Sequence, residues 1–242
     1  MWVHVGVNYD EFMTAYSDRD ARGGPALRIS PSRSAWAGFQ SDSRRPVTAS
    51  LWFFGGNGDE GRSWNTNVRP DLEFRVSSRF SASFGLNYSR NADDKQFYRS
   101  YGVVGSDTTH YTFARLDQTT IGLNTRLNFT ATPNLSFQFY GEPFNTNGTF
   151  ANWKELNDPR AEAYDGRFKS YRTGAAVFDG FNFRQFRSNM VARYEYRPGS
   201  TLFVVWQQGR SNFLTPGDPD YMPNYKISRD YDSPFRDHPN NT

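Results

Sequence analysis

Two carboxylates, Glu73 and Glu195, are the residues of this chain whose type and placement could most readily support catalysis. Each lies in a segment where polar and apolar residues alternate, and the alternation places both on the polar side. A facing pair of carboxylates is the arrangement used in glycoside hydrolysis. However, Arg75 and Arg193 each lie two residues from one of these acids, and Arg126 occupies the polar side of a third segment. We therefore predict a structural charge ladder and assign no catalytic residue.

The histidines do not suggest a metal centre. His4, His110 and His238 are far apart in sequence, and none is at metal-ligand spacing from another. A zinc site needs at least three convergent His, Cys or carboxylate ligands, and the chain contains no cysteine. We predict no metal and no cofactor.

Two other segments resemble ion-binding loops only in composition. The glycine-rich segment Gly55–Gly61 lacks both the following helix of a phosphate loop and the terminal glutamate of an EF-hand. It is expected to be a flexible hairpin loop. Asp158, Glu162 and Asp165 could bind calcium, although acidic loops are usually just solvated.

Aromatic side chains suggest a carbohydrate-binding alternative. Trp153, Tyr164 and Tyr171 fall in a long predicted loop, and aromatic platforms stack against sugar rings. The same rings could instead fill the interior of a barrel. A carbohydrate-binding or carbohydrate-processing surface protein, acting through such loops, is therefore the alternative function.

Composition indicates the elements that position these residues. Aromatic residues make up 17% of the chain, all apolar residues only 36%, and the mean hydropathy is −0.78. Aromatic and β-branched residues suit a pleated sheet. The longest apolar run is Leu202–Trp206, well below the ~18 to 20 residues of a spanning helix. The net charge of +3 is small and scattered, so nucleic acid is not an expected partner.

Alternation of apolar and polar residues is the main structural signal. In Phe80–Ser89, Phe80, Phe84 and Leu86 share one side while serine, glycine and asparagine occupy the other. The same period recurs along the chain and predicts β-strands. The nine predicted strands start near Val3, Ala35, Val47, Trp64, Phe80, Gln118, Leu135, Phe186 and Thr201.

Connections between these strands alternate in length. Short links are predicted at 43–46, 77–79, 132–134 and 197–200. Long links are predicted at 10–32, 57–63, 91–117 and 145–185, followed by a tail at 212–242. Residues 96–104 and 111–116 could extend a hairpin beyond a membrane. The segment Asn152–Tyr164 is the only helix-like candidate.

Long and short links in alternation are typical of an outer-membrane barrel, with tight periplasmic turns and long extracellular loops. Arg126 or Arg193 at the bilayer midplane would cost ~2 to 4 kcal/mol, so the polar sides are expected to face the lumen. We predict an all-β, antiparallel transmembrane β-barrel, with residues 1–242 forming one barrel region. Nine strands is an odd number and Met1 leads directly into a strand, so a partial barrel or fragment is expected. A soluble β-sandwich is the alternative fold.

Several segments resemble one protein family. In chain order they are Arg22–Pro25, Ser41–Arg44, Leu116–Thr120, Thr125–Phe129, Lys154–Leu156, Phe181–Arg184 and Glu195–Phe203. Together they resemble the C-terminal barrel region of an uncharacterised bacterial outer-membrane family. In that family, the barrel usually follows an N-terminal domain similar to family-9 carbohydrate-binding modules.

The resemblance implies a domain of unknown function located in the bacterial outer membrane. Because this chain lacks the carbohydrate-binding-like domain, sugar binding is not carried over from the family. The family usually has one more strand after a segment like Arg236–Asn241, which supports the expectation of an incomplete end. Expected partners are the lipid bilayer with its lipopolysaccharide, a polysaccharide ligand and proteins of an outer-membrane assembly. Transport, pore formation or surface anchoring is the expected role.

Overall fold

The computed structural model describes residues 1–11, 15–102, 109–171, 179–223 and 232–236. Antiparallel β-structure dominates them, and helices are short. In chain order the elements are β1 (Trp2–Asp10), β2 (Tyr16–Ser17), β3 (Leu27–Arg28), β4 (Ser32–Gln40), β5 (Val47–Gly58), a 3₁₀ turn (Asp59–Gly61), β6 (Ser63–Ser77), β7 (Phe80–Tyr101), β8 (His110–Thr132), β9 (Leu135–Leu156), α1 (Tyr164–Arg167), β10 (Phe168–Ser170), β11 (Gly180–Arg197), β12 (Ser200–Leu214) and α2 (Ser233–Arg236).

One antiparallel sheet contains ten of these strands. Nine follow each other in the order β1-β4-β5-β6-β7-β8-β9-β11-β12, and the short β10 pairs with the end of β9. The strands β2 and β3 form a separate two-stranded hairpin. Within the described residues β1 and β12 each have one paired side only, so the sheet is open. The all-β antiparallel prediction is confirmed.

All nine predicted strands are present, and the four short links occur where expected. The sheet is a meander because each of these short links joins neighbours in the ladder. Strands β8 and β11 begin earlier than predicted, at His110 and Gly180 instead of Gln118 and Phe186.

Two predicted long links were too long. β7 continues to Tyr101 and β8 starts at His110, so the predicted hairpin extension is confirmed for its described residues. β9 likewise continues to Leu156, and the predicted helix Asn152–Tyr164 is wrong. The left-handed φ of 52° at Asn152 accompanies a register shift between β8 and β9. This bulge interrupts the alternation of apolar and polar residues. The end of β9 therefore did not show the sequence pattern that predicts a strand.

The longest strands pass through two different environments. We call the part nearest the short links the turn half, and the remainder the loop half. In the loop halves of β8 and β9, consecutive residues are buried, as in Tyr111–Ala114 and Asn145–Asn147. Neighbouring residues of a strand point to opposite faces, so other parts of the chain cover both faces there.

A small hydrophobic core lies over one side of the loop half. Phe113 is fully buried between the rings of Phe97 and Phe168, at centroid distances of 5.6 and 5.3 Å. Leu27 of the β2–β3 hairpin and Tyr164 of α1 complete this cluster. The core therefore joins three segments that are distant in sequence: the β2–β3 hairpin, the ends of β7 and β8, and the region of α1 and β10.

Arg167 fastens the same region. Its guanidinium is buried and donates to the carbonyl oxygens of Ala161, Glu162 and Arg28 and to the Ser30 hydroxyl, at 2.7 to 3.1 Å. Burial lowers the pKa of this arginine. Four hydrogen bonds to neutral oxygens hold α1 against β3 because they replace the water lost on burial.

The chain's C-terminal part covers another portion of the loop half. Asn145 donates to the Ser233 hydroxyl at 3.1 Å, and Asn182 donates to Asn145 Oδ1 at 3.0 Å. The Phe235 ring contacts Phe186 at a centroid distance of 4.8 Å. Asn145 is therefore paired with the segment that covers it, and Asn182 is paired with Asn145.

The turn half has one face of bare apolar side chains. We call this the apolar face; it includes Val7, Phe84, Leu123, Met190 and Leu202. Many of the large apolar side chains on it are exposed, from 37% at Phe39 to 82% at Val7, whereas others such as Phe80, Leu86 and Leu127 are half-buried. None of the helices in the described part of the chain has the length or apolar content needed to cross a lipid bilayer.

Replacing Phe113 with alanine tests the small core. We expect Phe113→Ala to lower the unfolding free energy of the loop half by about 3 to 5 kcal/mol, because a fully buried aromatic ring is lost. Tyr16→Ala, at a side chain in the same region that is 45% exposed, should change it by less than about 0.5 kcal/mol. Hydrogen exchange of the β8 amides measures both effects, and equal losses would contradict the assignment of the core.

Candidate functional site

Opposite the apolar face, polar side chains form a continuous surface over the central strands of the sheet; we call this side of the sheet the polar face. The strand register aligns Thr48, Glu73, Ser83, Arg126 and Tyr140 in one row over β5 to β9. The surface is concave and encloses about 670 Å³, with lining residues from β4 to β9. The residues of this row share a face because every second side chain of a strand points to the same side of the sheet.

Charge pairs line the polar face. Glu73 accepts hydrogen bonds from the Arg75 guanidinium at 2.9 and 3.1 Å, and from the Thr48 hydroxyl at 3.4 Å. Arg193 contacts Glu195 at 3.3 Å. These pairs lie within single strands at i and i+2, which agrees with the predicted ladder of structural charges.

A second group of contacts surrounds Tyr140. Its hydroxyl donates to Glu142 at 2.7 Å and accepts from the Asn124 amide at 3.1 Å. The Arg126 guanidinium lies 5.3 Å from the Tyr140 ring centroid, in cation–π geometry. This group spans β8 and β9 and holds the middle of the concave surface in place.

The two carboxylates singled out from the sequence are not brought together. Glu73 belongs to β6 and Glu195 to β11, and the row that contains Glu73 meets β11 at Asn189. Glu195 lies six residues further along β11, which is roughly 20 Å at about 3.3 Å per residue. Curvature across the strands cannot shorten this separation along them. A glycosidase pair is at most about 9.5 Å apart, so these two residues cannot act together in that way.

The histidines also remain separate. His4 lies on β1 with its ring against Trp52, whereas His110 lies at the start of β8 and contacts Glu155. His238 lies outside the described residues. In the described ranges, no three side chains of metal-ligating type converge.

The glycine-rich segment belongs to a hairpin between β5 and β6, as predicted, and side-chain contacts anchor its turn. Gly55 to Gly58 belong to β5, and the following 3₁₀ turn contains Asp59, Glu60 and Gly61 with φ of 52°, 57° and 89°. Asp59 is buried, accepts from the Ser63 hydroxyl at 2.6 Å and pairs with Lys95 at 3.2 Å. Its carboxylate is therefore used structurally.

The acidic residues proposed for calcium have separate partners. Asp165 pairs with Arg62 at 2.7 Å, and Glu162 lies 4.0 Å from Arg28. Asp158 accepts the Arg160 backbone N–H at 2.9 Å within a turn. The structure therefore ties each acid into a different local contact.

The aromatic residues proposed for sugar stacking do not form one platform. Tyr164 is 2% exposed, and its hydroxyl donates to Asp94 at 2.9 Å. Trp153 packs edge-on against Tyr98, and Tyr171 lies beside His110. The Tyr164 ring is unavailable to a ligand, because the small core covers it.

Sequence inspection missed a buried charge network in the loop half. Lys154 contacts Asp94, and both contact the Tyr164 hydroxyl. Burial and the neighbouring Asp94 raise the pKa of Tyr164 well above its usual range. Burial likewise raises the pKa of Asp93. No sequence signal identifies this network, since Asp94 lies 60 residues from Lys154 and 70 residues from Tyr164 in the chain.

A second charged contact makes the loop half sensitive to acid. Glu155 is buried and contacts His110 and Lys169, with 3.0 Å between its Oε1 and the Lys169 ammonium. Burial opposes ionisation of this carboxyl, but the two hydrogen bonds outweigh it and lower its pKa below 4.5. A lowered folded-state pKa gives stability that is present above the unfolded value and lost as the pH falls.

Glu155→Gln tests this contact. We expect the wild-type melting temperature to fall as the pH drops below 4.5, because protonation removes the stabilising charge. The variant should be less stable at neutral pH and should show a smaller fall on acidification. Glu162→Gln, at a side chain that is 91% exposed, should retain the wild-type profile. An unchanged profile in Glu155→Gln would contradict the role of this contact.

Comparison with known proteins identifies a family but no close characterised relative. No curated protein and no solved structure matches the chain. A family model described as "Domain of unknown function (DUF5916)" matches residues 1–232. The match covers nearly the whole chain, so this chain belongs to the DUF5916 family.

Proposed function

We propose that this sheet forms part of the wall of a transmembrane β-barrel in the bacterial outer membrane. In this proposal the apolar face contacts lipid and the polar face lines a water-filled lumen. The barrel would serve transport, pore formation or surface anchoring. The observation that carries the proposal is the bare apolar face of the turn half.

The extent of the apolar face suits a bilayer. On β7 it runs from Phe80 to Tyr88, a span of nine residues, which fits the ~9 to 11 residues of a tilted transmembrane strand. Outer-membrane barrels have an apolar band roughly 25 Å tall, with aromatic residues at both borders. Tyr194 and Tyr196 lie near the β11–β12 turn and are 46% and 56% exposed, as expected for such a border.

The contrast between the two halves of the strands favours lipid over water. In the loop half, the chain buries Phe113 and Tyr111 beneath its own segments. In the turn half, Phe84 and Leu123 have no such cover among the described residues and are 39% and 38% exposed. A soluble β-sandwich would cover this face with a second sheet, but the only other sheet described contains β2 and β3.

Strand directions define what closure requires. Successive strands in the order from β1 to β12 alternate in direction, so the first and the ninth run the same way. Closing such a sheet with antiparallel pairs requires an odd number of additional strands. Bacterial barrels have even strand numbers, which agrees with at least one further strand from another part of the protein or from a partner.

The barrel proposal also fixes the orientation of the protein in the outer membrane. The tight turns at 43–46, 77–79, 132–134 and 197–200 would face the periplasm, and the loop halves would project outwards. There the small core and the buried charge network would lie at the level of lipopolysaccharide or beyond it. Other proteins of an outer-membrane assembly would meet the same outer region.

Arginine substitutions on adjacent residues of β8 test the lipid-facing assignment. We expect Leu123→Arg, on the apolar face, to lower the unfolding free energy in phospholipid vesicles by about 2 to 4 kcal/mol, because the charge enters the hydrocarbon region. Asn124→Arg places the same side chain on the polar face and should lower it by no more than the ~0.5 to 1.5 kcal/mol of the hydrogen bond that Asn124 donates to Tyr140. Urea titration of the vesicle-bound protein, followed by tryptophan fluorescence, measures both.

Two results would overturn the proposal. One is an equal effect of Leu123→Arg and Asn124→Arg in vesicles. The other is recovery of the wild-type protein as a soluble monomer without detergent.

A further inference from the structure

Aromatic rings form a patch on the polar face that neither the charge ladder nor the lipid-facing assignment explains. The rings belong to His4, Trp36, Trp52 and Phe54 on β1, β4 and β5. The Trp52 centroid lies 5.7 Å from that of His4, 6.3 Å from Trp36 and 6.2 Å from Phe54. The Trp52 ring is nearly parallel to those of His4 and Phe54, at 20° and 16°, and is tilted by 36° from that of Trp36. Nearly parallel rings at such centroid distances are offset from one another and do not overlap fully.

Two glycines allow the indoles to lie flat on the sheet. Gly6 is the ladder partner of Trp36, and Gly38 is the partner of Trp52. A Cβ on Gly6 would lie 2.5 to 2.6 Å from three ring atoms of Trp36, and one on Gly38 would lie 2.3 to 2.7 Å from Trp52. The point where a side chain would begin thus faces the plane of each ring. One face of each indole covers a glycine, and the other faces away from the sheet.

Hydrogen-bonding side chains border this patch on one side. The Arg69 guanidinium lies 5.8 Å from the Phe54 centroid, and Arg69 is the ladder partner of Trp52. In the next row, Gln40, Ser50 and Asp71 are ladder neighbours across β4, β5 and β6. Gln40, Ser50, Arg69 and Asp71 also line the concavity of about 670 Å³. Flat apolar rings therefore adjoin a set of mixed donors and acceptors.

From this arrangement we infer that the aromatic patch is a binding site for a neutral oligosaccharide. A pyranose ring presents a flat face of C–H groups and a rim of hydroxyls, which both donate and accept hydrogen bonds. The ring faces would receive the C–H groups, while Gln40, Ser50, Arg69 and Asp71 would bind the hydroxyls. A cationic ligand fits less well because Arg69 already occupies the cation position beside Phe54.

The site differs from the loop aromatics considered from the sequence. It lies on the polar face of the strands, so a bound oligosaccharide would lie within the lumen of the proposed barrel. The inference goes beyond the proposed function and needs only that the polar face be open to water.

A binding experiment on the purified full-length protein in detergent micelles tests the inference. Maltohexaose, cellohexaose and xylohexaose are titrated separately, and binding is followed by isothermal titration calorimetry and tryptophan fluorescence. We expect at least one of them to bind. Trp36→Ala and Trp52→Ala should each weaken that binding at least tenfold. Trp206→Ala, which removes an indole from the apolar face of β12, should change it less than twofold.

A conservative variant separates stacking from folding. Trp52→Phe keeps a smaller ring above Gly38 and should bind more tightly than Trp52→Ala while retaining the wild-type melting temperature. Absence of binding by all three hexasaccharides would overturn the inference, as would equal weakening by Trp206→Ala and Trp52→Ala. Vesicle insertion is measured on the same samples. A protein that inserts but binds no sugar defeats only this inference, whereas one that binds sugar but does not insert defeats only the proposed function.

Discussion

Backbone hydrogen bonding is the constraint on which the rest of this structure depends. Every buried amide and carbonyl group needs a partner, and here the antiparallel ladder from β1 to β12 supplies one to each interior strand. The ladder also fixes which side chains share a face. Polar rows, the apolar face and the aromatic patch are all consequences of a register that short turns hold in place. Within the described residues, the outer sides of β1 and β12 lack this pairing, as does one side of the short β10, and closure of the sheet concerns the β1 and β12 edges.

The same ladder serves two surroundings along its length. In the loop half the chain provides its own cover, and buried polar groups such as Arg167 and Asn182 have partners close by. In the turn half the chain provides no cover for the apolar face among the described residues. A single sheet can meet both conditions because its hydrogen bonds lie in the plane of the sheet and leave the two faces free to differ. This division is the structural basis for proposing a membrane protein with a folded outer region.

Much of this architecture could be predicted from the sequence. Alternation predicted all nine long strands, and the short breaks between alternating segments, some of which contain Pro or Gly, predicted the short turns. The method failed in the loop half for a definite reason. Apolar and polar residues alternate only where the two faces of a strand have different surroundings. Tyr111–Ala114 are buried on both faces. A bulge at Asn152 shifted the period again. The residues after this bulge therefore resembled a helix in their charge pattern. The pairing of the end of β9 with β10 was missed for this reason.

Prediction of the site was limited by register. Charge pairs such as Glu73 with Arg75 lie two residues apart, so the sequence alone could place them on one face. Gly38 and Trp52 are ladder partners on strands joined by only six residues, 41–46, so their pairing could in principle be derived from that short connection. The opposition of Gly6 and Trp36 could not be, because the long link between β1 and β4 leaves their register undetermined. A flat aromatic patch needs both oppositions at once. It emerges only when the ladder is known, which explains why the aromatic residues chosen from the sequence were those of a loop instead.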